Sequence, residues 1–429
     1  MKWTTLLLLA LVTVVGCGEG RMSETVATTA GQSPAIEVPM FEVDPSWLKT
    51  PDNWVLGQIA DVHVDAQDHV WVLHRPRTAK LERPTDIPAP SVWEVDPSGS
   101  VIQSWGGPGT ADYESGYEWP GTEHGIFATD DGHVWISGHL PDLDHQVLKF
   151  TKDGKFVMQI GRRGQSQGNA DTENVNRAAS VWVHAKTNEL FVGDGYGNRR
   201  VIVFDAETGA FKRMWGAFGN VPEEREPGES PFSSDDTGDG PPQFNNPHNV
   251  KVSNDDLVYV CDRDNQRVQV FTLDGEFVSQ VFISRGKMPP STFTGTAFGK
   301  PRNEIADELL ADPASAARLA FSPDPEQRFL YVGDRRTEYI YILDRQTLEI
   351  LGTTADGAGD QPGQLYIFHG ITTDSAGNIY TAETQPNIES EGGLVGRPGG
   401  SGTSDPYRGN RRVQKFVFKG FGPGPASTQ

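Results

Sequence analysis

Cysteine is nearly absent: Cys17 and Cys261 are the only two in 429 residues. No apolar run is long enough to cross a bilayer. The N-terminal run, Leu6–Val15, falls well short of the ~20 residues a membrane helix needs. Positive charge is in deficit, with 37 Lys and Arg against 58 Asp and Glu and a net charge of −21. That balance excludes nucleic acid as a partner, because phosphate binding needs clustered Lys and Arg. The Arg pairs that do occur, such as Arg162-Arg163, Arg199-Arg200 and Arg411-Arg412, read as solvated strand ends. Sustained helical periodicity is missing beyond the N-terminus. A chain of this length without helices must either divide into domains or repeat.

Leu6–Val15, preceded by Lys2, reads as an export signal. The run ends Val14-Val15-Gly16-Cys17, which is similar to the bacterial lipoprotein cleavage box, where the cysteine becomes the lipidated first residue. Residues 1–16 are therefore expected to be a lipoprotein signal peptide, and Cys17 the lipidation site. Residues 17–35, small and polar, are expected to be a flexible tether. The expected location is the bacterial cell envelope, with the membrane touched through the lipid anchor alone. Cys261 is then the one other thiol, so an internal disulfide is not available.

What the chain does have is a repeat. Glu123-His-Gly-Ile leads to Val134-Trp135, Pro247-His-Asn-Val to Val258-Tyr259, and Phe368-His-Gly-Ile to Ile379-Tyr380; each step from His to the aromatic is 11 residues. The same step back from Trp71 lands on Ala60, and from Phe191 on Ser180. A further copy ends at Tyr331 after a longer turn, so its matching position is Ala320 or Arg318. One repeat thus recurs six times, and the second, fourth and sixth copies carry His124, His248 and His369.

Each copy reads as four short strands, the first as Gln58–Val64, Val70–Leu73, Val92–Val95 and Val101–Trp105. Turns such as Asp131-Gly132 and Asp274-Gly275 separate them. Third strands share Asn198-Arg-Arg-Val-Ile-Val-Phe204, Asn265-Gln-Arg-Val-Gln-Val-Phe271 and Asn410-Arg-Arg-Val-Gln-Lys-Phe416. The expectation is an all-β, six-bladed β-propeller over residues 36–420, with a tail at 421–429. The sixth copy shows three strands, so Ile36–Val43 is expected to add the fourth and close the ring. Residues 221–242, 285–313 and 385–409 break the repeat and read as long loops, with a short helix expected at Glu304–Leu310.

In a propeller the innermost strand lines the channel, so the three histidines would meet at one mouth with threefold symmetry. Three imidazoles with a free fourth position suit a catalytic zinc. His63, His69, His133 and His184 do not share the register and read as structural. The second strands return to the same mouth and bring Arg75, His139, Gly195 with Tyr196, Arg263, Arg335 and Thr384 near the metal. Arginines beside a metal suit a substrate with a carboxylate, and a tyrosine suits proton transfer. Asp262, Asp264 and Asp334 would orient these side chains, and the long loops would wall the pocket.

Several of these segments resemble peptidylglycine α-amidating lyase, a family of six-bladed propellers with NHL-type repeats. They are Leu73-His-Arg-Pro76, Glu123-His-Gly-Ile126, Gly193-Asp-Gly-Tyr-Gly-Asn198, Asn246-Pro-His-Asn-Val250, Cys261-Asp-Arg-Asp-Asn265 and Phe368-His-Gly-Ile371. The resemblance implies cleavage of a peptidyl- or N-acyl-α-hydroxyglycine to an amide and glyoxylate. It implies zinc on His124, His248 and His369, Tyr196 as the catalytic base, and Arg75 and Arg263 as active-site arginines. The family also holds a structural calcium through an acidic residue after the third histidine; here that residue is Gly370. It has Met two residues before that histidine, where this chain has Ile367, and a hydroxylating partner domain is not expected in this sequence. The expected partner is a small-molecule or peptide substrate, and the expected state a monomer. The alternative is a non-enzymatic propeller that binds a protein or glycan at the cell envelope.

Overall fold

The structure is a computed structural model that describes residues 37–108, 116–226, 238–285, 315–357, 361–365, 367–384 and 413–423. The expected signal, Cys17, the tether, the helix at 304–310 and most of the three long loops lie outside the described residues.

Six four-stranded antiparallel sheets account for nearly all the described secondary structure. Their innermost strands are Gln58–Val64, Glu123–Ala128, Ser180–His184, Pro247–Val252, Ala316–Phe321 and Phe368–Thr373. The described helical pieces are single 3-10 turns such as Pro76–Thr78 and Arg263–Asn265. Among the described residues no helix is long and apolar enough to cross a membrane. This is the six-bladed propeller that the repeat predicts.

The alternation of the sequence explains the blades. Each second strand carries an aromatic at its second or third residue, Trp71, Trp135, Phe191, Tyr259, Tyr331 or Tyr380, and all six are buried. Removing each from water contributes ~2–3 kcal/mol. The six apolar clusters each combine residues of two neighbouring blades, as where Trp71 and Leu73 meet Ile136 and Phe150. The core is therefore a ring of inter-blade layers around a channel. The first and last blades are joined the same way, with Trp47 and Val72 against Tyr380 and Val413. Glu37–Asp44 pairs antiparallel with Val413–Pro423, from Glu37 opposite Pro423 to Asp44 opposite Lys415. The N-terminal strand thus closes the ring as expected. The last strand continues past the expected end at residue 420, to Pro423.

The Asn-x-Arg signature of the third strands has a buried cause. Asn198 Nδ2 and Arg200 Nε donate to Asp194 at 2.7 and 2.9 Å. Asn265 Nδ2 and Arg267 Nε donate to Asp262 at 2.7 and 2.8 Å. Both arginines are fully buried, so Arg200 is not the solvated strand end that the sequence suggested. Asp262 likewise pins its own blade rather than the channel mouth.

Candidate metal centre

The innermost strand of most blades bulges near its start, and the residue at the bulge turns into the channel. Register shifts place Ala60, His124, His248, Ala317 and His369 at this position. In the third blade Ser180 lies opposite Gly193, which assigns the position to Ala179. The ring therefore reads Ala, His, Ala, His, Ala, His. Two assignments from the fixed step of 11 are corrected: Ala179 replaces Ser180, and Ala317 replaces Ala320 or Arg318. In those two blades the paired residues Trp182–Phe191 and Ala320–Tyr331 are further apart in sequence than Phe127–Trp135 is in the second, so counting back 11 from the aromatic stops short.

The alternation is functional in geometry. Each histidine points Nδ1 at the carbonyl of the alanine in the next blade. His124 Nδ1 lies 2.7 Å from Ala179 O, His248 Nδ1 2.8 Å from Ala317 O, and His369 Nδ1 2.5 Å from Ala60 O. A carbonyl can only accept, so Nδ1 carries the proton and Nε2 is the lone-pair atom aimed at the axis. The three rings form a near-equilateral triangle with centroids 4.6, 5.0 and 5.1 Å apart. Their ligand atoms all lie within 4.8 Å of one another. All three are buried. Burial first, and neighbouring positive charge second, hold each imidazole well below its ordinary range, so all are neutral near pH 7. Three neutral imidazoles with preset tautomers and one open side fit zinc.

Tyr196 sits over this triangle. Its hydroxyl is 3.0 Å from His124 Nε2 and 3.0 Å from His248 Nε2. It also accepts from Arg263 Nη1 at 3.2 Å. The flanking glycines are required for that reach. A Cβ on Gly195 would come within 2.7 Å of Pro247 O, and one on Gly197 within 2.0 Å of Asn176 Oδ1. Arg263 is held by Asp264, whose Oδ1 accepts from Nε at 2.7 Å, so Asp264 has the orienting role expected of it. Asp334 instead binds Thr337 within its own turn.

Arg75 enters from the first blade. Its Nε donates to Glu123 O and its Nη1 to Gln58 Oε1, both at 2.8 Å. Its Nη2 is buried and meets no acceptor among the described residues. His139 packs on both His124 and Tyr196, with centroids 4.7 and 4.9 Å away. Arg335 is partly exposed, and Thr384 is buried with its backbone N–H on Ile367 O.

Sequence reasoning missed two residues. Arg177 lies 5.4 Å from the Tyr196 ring, as does Arg263, so two guanidinium groups lie close to the phenol ring. Arg177 holds a left-handed φ of 64°, as do Asn246 and Ile367 two residues before their ring positions. The offset is shared by the backbone alone, since Arg, Asn and Ile occupy it, and it leaves no signal in the sequence. Arg318 lies beneath the histidines, one residue past the ring position. The alternative register for the fifth copy had reached it for another reason.

Comparison with known proteins follows the same lines. The NHL repeat model matches residues 244–271, the fourth blade up to its third strand. Over 253 residues the chain is 27% identical to peptidylglycine alpha-amidating monooxygenase of Rattus norvegicus, covering 54% of this chain and 23% of that protein. It is 32% identical over 152 residues to a probable peptidyl-alpha-hydroxyglycine alpha-amidating lyase of Caenorhabditis elegans, covering 35% and 36%. It is 27% identical over 274 residues to NHL repeat-containing protein 3 of Homo sapiens, covering 61% and 65%. The chain thus spans about a quarter of the length of the monooxygenase it matches. It is a six-bladed propeller that carries an NHL repeat in its fourth blade and has distant homology to peptidylglycine amidating enzymes.

Proposed function

We propose that this propeller is a zinc-dependent lyase that cleaves an N-acyl- or peptidyl-α-hydroxyglycine into an amide and glyoxylate. One observation carries the reading: the Tyr196 hydroxyl lies 3.0 Å from the metal-facing Nε2 of two histidines. A structural tyrosine has no reason to stand there. A proton acceptor for a substrate hydroxyl held at the same metal does.

His124, His248 and His369 would hold the zinc, which supplies Lewis acidity toward a substrate oxygen. Arg75 binds the substrate carboxylate through Nη2, its one unpaired donor edge, and Arg335 adds positive charge nearby. Tyr196, with Arg177 and Arg263 each 5.4 Å from its ring, takes the proton of the carbinol hydroxyl. The C–O bond becomes the aldehyde C=O of glyoxylate, and the C–N bond breaks with its electron pair going to nitrogen. Tyr196 then returns the proton to that nitrogen, which leaves as the primary amide. Atoms and charge balance without an oxidant.

The enzyme is read as a monomer carried on a lipid at Cys17, exported to the cell envelope. The test is glyoxylate release from an N-acyl-α-hydroxyglycine by the domain without its anchor. Zinc-dependent release that falls at least ~100-fold in Tyr196→Phe supports the lyase. A folded protein that releases no glyoxylate with zinc bound overturns it and favours a binding propeller.

A further inference from the structure

Below the three histidines the channel contains Asp61, Arg318 and Lys251, all buried and none used in the reaction above. Arg318 crosses the channel. Its Nε donates to His369 O at 3.0 Å, and its Nη2 to Ala179 O at 3.0 Å and, more weakly, to His124 O at 3.5 Å. Nη1 pairs with Asp61 Oδ2 at 3.3 Å. One planar cation in the fifth blade therefore ties together the first, second, third and sixth. Its oxygen partners are three backbone carbonyls and a carboxylate from four separate blades, the oxygen set that a hard cation takes, and its Nη2 also lies 3.3 Å from His124 Nδ1.

The surrounding residues are adapted to this arrangement. Asp61 Oδ1 accepts the Val62 N–H at 3.0 Å, and Oδ2 the Ile126 N–H at 3.2 Å. A Cβ on Gly370 would meet Asp61 Oδ1 at 3.0 Å and Ala382 Cβ at 2.8 Å. The Asp61 carboxylate thus fills the space that an acidic side chain at 370 would need. Lys251 adds a second cation, donating to Ile371 O at 3.2 Å. Burial pushes its ammonium down to about 8. The channel already holds two cations against one carboxylate, and a divalent ion would add charge that nothing there balances.

We propose that the Arg318 guanidinium is the channel's resident cation, doing covalently what a bound calcium would do, so that the described channel takes one metal ion, at the histidines, and no calcium. The zinc half rests on the proposed function, and the calcium half does not. Arg318 is a positioning residue, because it fixes the backbone of the strands that carry His124 and His369.

The experiment uses the full chain and reads no turnover, so failure of the lyase reading leaves it intact. Wild type is stripped with a calcium chelator, and bound calcium and thermal unfolding are measured with calcium or magnesium added at matched ionic strength. The expected result is no stoichiometric calcium and no calcium-specific rise in Tm. Arg318→Ala opens the oxygen cage; its Tm falls by on the order of 5–10 °C. Calcium or dilute guanidinium ion then restores part of that loss, and magnesium does not. If the alanine variant fails to fold, Arg318→Lys, which keeps the charge but makes fewer of the bonds, takes its place with the same readout. Stoichiometric calcium in wild type overturns the proposal. So does a destabilised variant that neither calcium nor guanidinium ion rescues, since Arg318 would then be only a buried ion pair.

Discussion

Arg75 offers the sharpest dissection of substrate recognition. Two of its three nitrogens are committed, Nε to Glu123 O and Nη1 to Gln58 Oε1, and Nη2 is buried without an acceptor among the described residues. A carboxylate there gains a charge-assisted hydrogen bond in a site already desolvated. Losing such a bond costs roughly 2–3 kcal/mol, or about 30- to 150-fold in kcat/KM. Arg75→Lys keeps the charge but not the fork, so the loss should appear mainly as a raised KM. The control is an N-hydroxymethyl amide, which undergoes the same C–N cleavage to an amide and formaldehyde but has no carboxylate. Both enzymes are assayed on both substrates. The variant should lose ~30-fold or more on the hydroxyglycine and only a few-fold on the hydroxymethyl amide. Equal losses on the two substrates would refute carboxylate recognition by Arg75 and make it a structural residue of the mouth.

Three further outcomes follow from the fold. Asp194→Ala strands the buried Arg200 guanidinium and should cost about 3–5 kcal/mol in denaturant unfolding, whereas breaking the exposed Lys155–Asp153 pair should leave the unfolding midpoint essentially unchanged. His74 is buried as the neutral ring, with Nδ1 accepting from Gly57 N–H and Nε2 donating to Pro90 O, and burial lowers it to about 4. Its folded value lies below its unfolded one, so its contribution is present above about 6.5 and is lost as pH falls toward 4. That loss amounts to roughly 3 kcal/mol by pH 4, and His74→Gln should flatten this part of the pH–stability curve. Deleting residues 37–44 removes the strand that closes the ring, and should lower Tm sharply and promote association through the bare edge of Val413–Pro423.

Much of this architecture was legible in the sequence because propeller blades are local. Alternating apolar residues, Asp-Gly turns and a repeated aromatic define a blade without long-range information, and even the closing strand followed from counting strands. The three histidines were legible because their register repeats. The alanine carbonyls that set their tautomers were less so. Longer turns in the third and fifth blades displaced Ala179 and Ala317 from the fixed step, and a backbone acceptor leaves no side-chain signature. Arg200 was misjudged for a similar reason. A pair of arginines looks solvated until Asp194 is seen to lie across the strand from it. Arg177 and Arg318 act across the ring, from the third blade onto Tyr196 and from the fifth onto four other blades. Nothing in their local sequence separates such residues from strand-end arginines.

The central claim is a single catalytic metal at His124, His248 and His369, and its most direct test is a zinc titration of metal-free protein followed by glyoxylate release. Activity should rise linearly and break at one equivalent of zinc, and His248→Ala should neither retain that equivalent after desalting nor turn over. Full activity in metal-free protein, or a tightly held equivalent that survives in His248→Ala, would contradict the account.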